Sequence, residues 1–294
     1  MRKRFILSAL LLIGIVFTPG LAQDIDQMVS SYLGDNGQGY MEPLGDAFGS
    51  SLNSGFYRSA RIKKGFHLSL GVHSMLAQIS DDQRVFKAST ESGFSPAKTI
   101  EAPTIFGNAE PVVVKGDAGT AFTFPSGLDV ERLPLAVPQV TVGALFGTEA
   151  TVRFMQMDLG ENFKQLKLLG YGVRHSVSQY LSAFPVDLAA AVYMQQFKIG
   201  DIVDANAFYY GIQASKKASI LTLYGGIGIS QSTMKIKYVN DSTDDPVEIA
   251  FDLKSDGKMC ATAGICFDLG GLYINADYNI GAQNILTAGL GFSF

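Results

Sequence analysis

From residue 258 to 294, apolar side chains alternate with small or polar ones at period two through three successive runs. That spacing belongs to strands with one face against an apolar medium. Met259, Ala261, Ala263, Ile265, Phe267 and Leu269 oppose Cys260, Thr262, Gly264, Cys266 and Asp268. Leu272, Ile274, Ala276, Tyr278 and Ile280 oppose Tyr273, Asn275, Asp277 and Asn279, and Leu286, Ala288, Leu290, Phe292 and Phe294 oppose Thr287, Gly289, Gly291 and Ser293. The pattern continues upstream in the segments that start at Phe66, Pro138, Glu149, Phe163, Pro185, Ala205 and Ala218, which predicts ten strands.

Alternation alone fits a sandwich as well as a barrel, because any sheet with one buried face shows it. The polar face separates the two. A soluble sandwich turns Lys, Glu and Arg towards water, whereas here that face holds Asn, Tyr, Thr, Ser and Gly, which suit a narrow wet interior. Connection lengths agree with an outer-membrane barrel that starts on its inner side before Phe66. The predicted outer connections are 77–135, 158–163, 198–204, 232–257 and 280–284. The predicted inner ones centre on Gly147-Thr148, 176–185, Lys216-Lys217 and Gly270-Gly271. This parity requires Val247 to Lys254 to belong to an outer hairpin.

Composition strengthens that reading. Charged residues make up 17 % of the chain against about 25 % in ordinary globular proteins, and Gly is 32 of 294 residues. The opening MRKRFILSALLLIGIVFTPGLAQ has three basic residues, an apolar run of about 14 and a small-residue site, the organisation of a secretory signal peptide over residues 1–23. Its apolar run is shorter than the roughly 20 residues a membrane helix needs, and no later stretch reaches that length. Removing Arg2, Lys3 and Arg4 with the leader takes the formal net charge from −4 to −7, which argues against a nucleic-acid partner. The expected organisation is therefore a leader, an N-terminal segment over 24–64, and an all-β domain over 65–294, a closed antiparallel transmembrane β-barrel of 10–12 strands.

Two stretches exceed a minimal barrel. Residues 24–64 carry a predicted short helix from Glu42 to Leu52 and the basic cluster Arg58, Arg61, Lys63 and Lys64. They form either a plug in the lumen or a loose periplasmic tail. Residues 77–135, with a predicted small hairpin in KGDAGTAFTFPSG, cap the barrel, fold into it, or add a strand pair to its wall.

The last nine residues, LTAGLGFSF, place Thr287, Gly289, Phe292 and Phe294 in the order polar, Gly, aromatic, aromatic. That order resembles the C-terminal assembly signal of bacterial outer-membrane barrels, and the resemblance implies recognition by the barrel-assembly machinery. The segments PTIFG from 103, PQVTVG from 138, GTEATVRF from 147, GYGVRHSVSQYLSAFPVDLA from 170 and YGIQASK from 210 resemble an uncharacterised family of Gram-negative outer-membrane barrels. More loosely, an N-terminal segment ahead of a barrel is similar to long-chain fatty-acid transporter-type barrels, a likeness that implies uptake of hydrophobic compounds.

Catalytic and metal chemistry find little support. His67 and His73 share a strand face but stand about 20 Å apart along it, too far to chelate one ion. His175-Ser176 and His73-Ser74 point to opposite faces within a strand, so neither forms a nucleophile–base pair. Cys260 and Cys266 are separated by a similar 20 Å of strand, which excludes a disulfide and predicts two free thiols. YGGIGIS at 224–230 lacks the strand-to-helix context of a phosphate loop. No cofactor, metal or enzymatic activity is expected. The predicted lumen set is Arg153, Asp187, Tyr193, Gln195, Tyr209, Gln213, Tyr224, Tyr273, Asn275 and Asp277, with Arg153 paired to a carboxylate such as Asp187 or contributing to anion preference. Tyrosines offer flat amphipathic surfaces. The leading expectation is a monomeric barrel in the outer-membrane lipid that binds or passes a small amphipathic or hydrophobic compound. The alternatives are a non-transporting structural or partner-docking barrel, whose interior residues only bond one another, and a soluble secreted sandwich.

Overall fold

In the computed structural model, which describes residues 34–143, 146–160, 164–181, 184–240 and 247–294, the alternating segments close into a ten-stranded antiparallel barrel. Its wall runs β1 (His67–Gln78), β6 (Arg132–Gly143), β7 (Thr148–Gly160), β8 (Lys164–Ser176), β9 (Asp187–Ile199), β10 (Val203–Ala218), β11 (Leu221–Asn240), β12 (Val247–Leu269), β13 (Leu272–Ile280) and β14 (Asn284–Ser293). From β6 to β14 each strand pairs with the next, and β1 closes the ring between β14 and β6. The closure places Ser69 opposite Ser293 and His73 opposite Gly289, and Phe294 exchanges both backbone hydrogen bonds with Leu68. The leader expected over residues 1–23 lies outside the described residues.

The predicted faces hold in the wall. Val140, Val152, Tyr171, Val192, Ile212, Leu223, Ile265, Ile274, Leu290 and Phe292 are exposed on the outside, as lipid-facing residues of a transmembrane barrel are. Gln139, Thr151, Gln195, Gln213, Asn275 and Thr287 are buried within. No helix of the described residues is long and apolar enough to cross a membrane. On β11 the outward apolar positions extend from Leu221 to Ile229 and on β13 from Leu272 to Ile280, close to the 9–11 residues that span a bilayer.

Beyond that band the polarity of the wall reverses. On β11, Met234 and Ile236 point inward and Lys235 and Lys237 outward, and on β12 Phe251 and Leu253 point inward with Asp252 and Lys254 outward. Between Ser230 and Ser232 of β11, β12 advances from Lys258 to Ser255, one residue more than its partner. This bulge changes which parity faces the interior, so odd-numbered Leu253 and even-numbered Thr262 both look inward. Within the outer connection expected over 232–257, Val247 to Lys254 pairs with Thr233 to Asn240, the outer hairpin that the strand parity requires, so this stretch is ladder rather than irregular loop. The described part of this stretch continues the β11–β12 ladder above the membrane band, and residues 241–246 lie outside the described residues.

The apolar interior of this extension is occupied by α1, Gly34–Leu52, longer than the expected helix from Glu42. Glycine is a poor helix former, yet three glycines of α1 face neighbours that a side chain would strike. A Cβ on Gly49 would lie 2.5 Å from Ser232 Cβ, one on Gly45 2.9 Å from Leu253 Cβ, and one on Gly39 2.6 Å from the Phe86 ring. Close approach to the wall and to the β2 hairpin stabilises the helix where intrinsic propensity does not. Residues 79–131 cover the same end, with two hairpins, β2 (Val85–Ser89) with β3 (Thr99–Pro103) and β4 (Val112–Lys115) with β5 (Ala121–Phe124). The latter is the hairpin expected in KGDAGTAFTFPSG. Neither joins the wall. Ala88, Ile105, Phe106 and Phe124 share one apolar core with Tyr40 and Phe48 of α1 and Met75, Leu168 and Phe197 of the barrel.

At the opposite end the connections are mostly tight. Ser219-Ile220 and Gly270-Gly271 make two-residue turns, with positive φ at Ser219, Gly270 and Gly271. The expected turn at Lys216-Lys217 is displaced because β10 continues to Ala218, which places both lysines in the strand. Cys260 and Cys266 are both free thiols, as their spacing on β12 requires.

Replacing Gly49 with leucine is expected to destabilise the purified barrel by about 1–3 kcal/mol, through overpacking against Ser232. It is also expected to accelerate proteolysis within 34–52, read by urea unfolding in detergent and by limited digestion.

Candidate functional site

After α1 the chain does not leave the barrel. Residues 53–64 run down the lumen from the capped end to the end with tight turns, and wall side chains bind them at each step. Asn53 donates from Nδ2 to the carbonyls of Phe208 and Gln231 and to Ser230 Oγ. Gln139 donates to the Phe56 carbonyl at 3.1 Å, and the Ala60 amide donates to Ser215 Oγ at 2.9 Å. Gly55 adopts φ +72°, a backbone conformation that favours glycine, and a Cβ there would meet Thr287 Cγ2 at 2.9 Å.

Arg153 anchors this segment. Its side chain is wholly buried, and it donates to the carbonyls of Leu52 and Ser54 at 3.2 and 2.9 Å and to Gln139 Oε1 at 2.9 Å. Its guanidinium carbon lies 3.7 Å from the centroid of the Phe56 ring, and Phe56 stacks on Tyr193 at 3.9 Å and 6°. The expected pairing with Asp187 is not formed. Asp187 opens β9 near the turn end, half-buried, and Arg153 forms no ion pair among the described residues. Burying a guanidinium costs on the order of several kcal/mol. Here backbone carbonyls and an aromatic face offset that cost where a carboxylate would otherwise be needed.

Two polar networks flank the anchor. In the first, Glu149 receives Arg174 Nε at 2.6 Å on Oε2, and its Oε1 lies 2.7 Å from His67 Nε2. Arg174 also donates to the Ser59 carbonyl and to Gln213 Oε1, and Gln213 donates to the Tyr193 hydroxyl at 3.3 Å. In the second, the Tyr224 hydroxyl donates to Asp277 Oδ2 at 2.7 Å and accepts from Asn275 at 3.0 Å, while Asn279 donates to Asp277 Oδ1 at 2.6 Å and to Thr287 Oγ1 at 3.1 Å. Tyr57 packs edge-on to Tyr224 with centroids 5.7 Å apart, in space that Gly226 leaves open: a Cβ there would stand 2.5 Å from the Tyr57 hydroxyl.

All ten side chains expected on the lumen lie on the inner face of the wall. Rather than lining one open channel, most of them divide into the Arg153–Tyr193 anchor, the Gln213 and Tyr224 networks, and Tyr273, over which the Arg58 guanidinium lies at 4.0 Å, while Asp187 stands apart at the start of β9 and the buried Gln195 amide has no hydrogen-bond partner among the described residues. Tyr209 packs beside Tyr193 at 5.9 Å. Sequence reasoning missed Glu149, Arg174, His67 and Gln139. The signal available for them was the inward parity of a charged residue on β7 and of another on β8.

Below Arg58 the lumen opens into a cavity of about 500 Å³ at the turn end. Its wall includes Phe56, Tyr57 and Tyr273 and the charged residues Arg58, Arg61, Lys63, Arg174, Lys217, Glu149 and Asp268. No group of three His, Cys, Asp or Glu side chains among the described residues is placed to hold a metal ion.

Replacing Arg153 with methionine is expected to destabilise the barrel by about 2–4 kcal/mol, because the Leu52 and Ser54 carbonyls lose charge-assisted donors in a buried site. Lysine, a point donor without the planar fork, is expected to restore less than half of that loss. Urea unfolding of the three proteins compares them.

The Ralstonia pickettii toluene transporter TbuX matches at 6 % identity and a TM-score of 0.29 over 83 % of this chain and 92 % of its own. A Pseudomonas aeruginosa FadL homologue matches at 10 % identity and 0.25 over 90 % and 94 %, and the Yersinia pestis attachment invasion locus protein Ail at 11 % and 0.27 over 79 % and 100 %. No curated protein matches the sequence. A family model matches the chain over residues 1–294, and the protein, a closed ten-stranded antiparallel β-barrel, belongs to that family of unknown function, DUF6588.

Proposed function

We propose that this barrel sits in the outer membrane with its tight turns towards the periplasm, and that it binds a small amphipathic compound and passes it when residues 57–60 shift from the wall while the Arg153 contacts to Leu52 and Ser54 stay in place. The observation that carries this reading is the 500 Å³ cavity walled by Phe56, Tyr57 and Tyr273, with residues 56–58 of the N-terminal segment among its lining. A volume of this size is typical of small-molecule sites. Around Tyr57 to Ala60 that segment is held by hydrogen bonds, ring contacts and an arginine contact to the Ser59 carbonyl, with no covalent link. Such contacts release at modest cost when a ligand offers equivalent partners.

The non-transporting alternative is favoured by a different observation, the shared apolar core of α1, the two hairpins and the upper barrel, which closes the far end. One experiment separates the two readings. Ser59 Oγ and Ser215 Oγ are 3.2 Å apart, so Ser59→Cys with Ser215→Cys, in a Cys260→Ala/Cys266→Ala background, places two thiols where a disulfide locks the segment to β10. Liposomes with entrapped β-galactosidase report entry of the uncharged amphipath nitrophenyl galactoside. Transfer by the reduced protein that falls at least about tenfold on oxidation and returns with dithiothreitol is the expected result. Equal transfer in both states shows that the segment does not gate, and absence of transfer by the native and reduced proteins alike sinks transport in favour of the structural reading.

A further inference from the structure

The charge of the turn-end cavity says more about what it takes. Five cationic side chains line it against two carboxylates, and both carboxylates are already engaged. Glu149 is held between Arg174 and His67, and Asp268 accepts Lys217 at 3.0 Å. Arg58, Arg61 and Lys63 remain without a carboxylate partner among the described residues. Arg58 donates to the hydroxyls of Ser69 and Ser293 at 3.2 Å and lies over Tyr273, all neutral partners. Arg61 and Lys63 are exposed to the cavity mouth.

A second observation points into the same space. His73 lines the cavity at 1 % exposure, and neither of its ring nitrogens has a hydrogen-bond partner. Buried polar atoms normally find partners, and here the ring packs directly against the Gly289 backbone, where a Cβ would stand 2.7 Å from His73 Nδ1. The cavity thus combines uncompensated cations, an orphaned imidazole and an aromatic wall.

The geometry points to a site for a small organic carboxylate, its anionic group facing Arg58, Arg61 and Lys63 and its ring or apolar body against Tyr57 and Tyr273. Guanidinium groups match a carboxylate through paired N–H donors, and the tyrosine faces accept a flat apolar body that a bare inorganic anion does not supply. This assignment rests on the reading of the lumen as a ligand path. Its test uses binding alone, so its failure leaves the transfer of an uncharged solute as a separate question.

The test is calorimetric titration of the full chain in detergent with benzoate, benzyl alcohol and inorganic phosphate. Benzoate is expected to bind at least about tenfold more tightly than either of the others, and to weaken about threefold or more as salt rises from about 50 to about 500 mM. Arg58→Gln is expected to cost about tenfold. Because Arg58 also touches the wall, Arg61→Gln with Lys63→Gln, both exposed, is the second variant, with an expected loss of about threefold or more and unchanged thermal unfolding. Equal binding of benzyl alcohol overturns the anionic assignment, phosphate binding as tightly as benzoate overturns the organic one, and no binding of any probe, or no effect of either variant, overturns the site.

Discussion

A closed wall of ten strands encloses more space than its own inward side chains fill, and no protein interior of that width stays both empty and dry. The rest of this structure follows from how that space is occupied. Residues 34–64 thread it from end to end, and each part of the wall has the inner surface its section of the thread requires. Opposite α1 the inner face is Met155, Leu166, Leu168, Phe197, Met234 and Leu253, an ordinary apolar core. Opposite residues 53–60 it becomes polar and aromatic, because an irregular segment exposes backbone carbonyls and amides that need partners.

The same constraint explains the reversal of polarity along β11 and β12. Within the membrane band the outside is apolar because lipid covers it. Above the band water covers the outside and α1 covers the inside, so the pattern inverts while the strands continue. The bulge opposite Ser230 and Ser232 adds the single residue that brings Phe251, Leu253 and Ser255 to the interior after Cys260 and Thr262. Such a device costs one unpaired residue and corrects the parity of a whole strand.

Arg153 shows why the thread is seated at one height. It is the charged residue buried deepest in the wall, and its donors are satisfied by carbonyls of residues 52 and 54 together with Gln139. An arginine in this position is tolerated only when that backbone is present, so barrel and segment depend on each other. Below it the lumen opens into the turn-end cavity, where Arg58, Arg61 and Lys63 pair with no carboxylate among the described residues. Those unpaired cations beside an aromatic wall are the physical basis for placing a ligand there.

Strand periodicity is a local property: alternate residues point to opposite faces wherever the chain is extended. The ten wall strands, their lipid-facing sides, the inward placement of Tyr193, Tyr224, Tyr273 and Asp277, and the separation of the two thiols could therefore be read from residues a few positions apart. The hairpin within 112–124 was legible for the same reason, from its short spacing and turn residues. The partners of those inward side chains were not. Arg153 meets Leu52 and Ser54 across about a hundred residues, Arg58 meets Ser293 across more than two hundred, and nothing local distinguishes such partners from the Asp187 that the sequence suggested. The full helix from Gly34 was hidden too, because its glycines lower helix propensity and only the facing Ser232, Leu253 and Phe86 make them favourable. The sequence by itself determined the barrel and its two faces; tertiary structure decided what fills it and which charges stay unpaired, since both depend on contacts made only once the wall has closed.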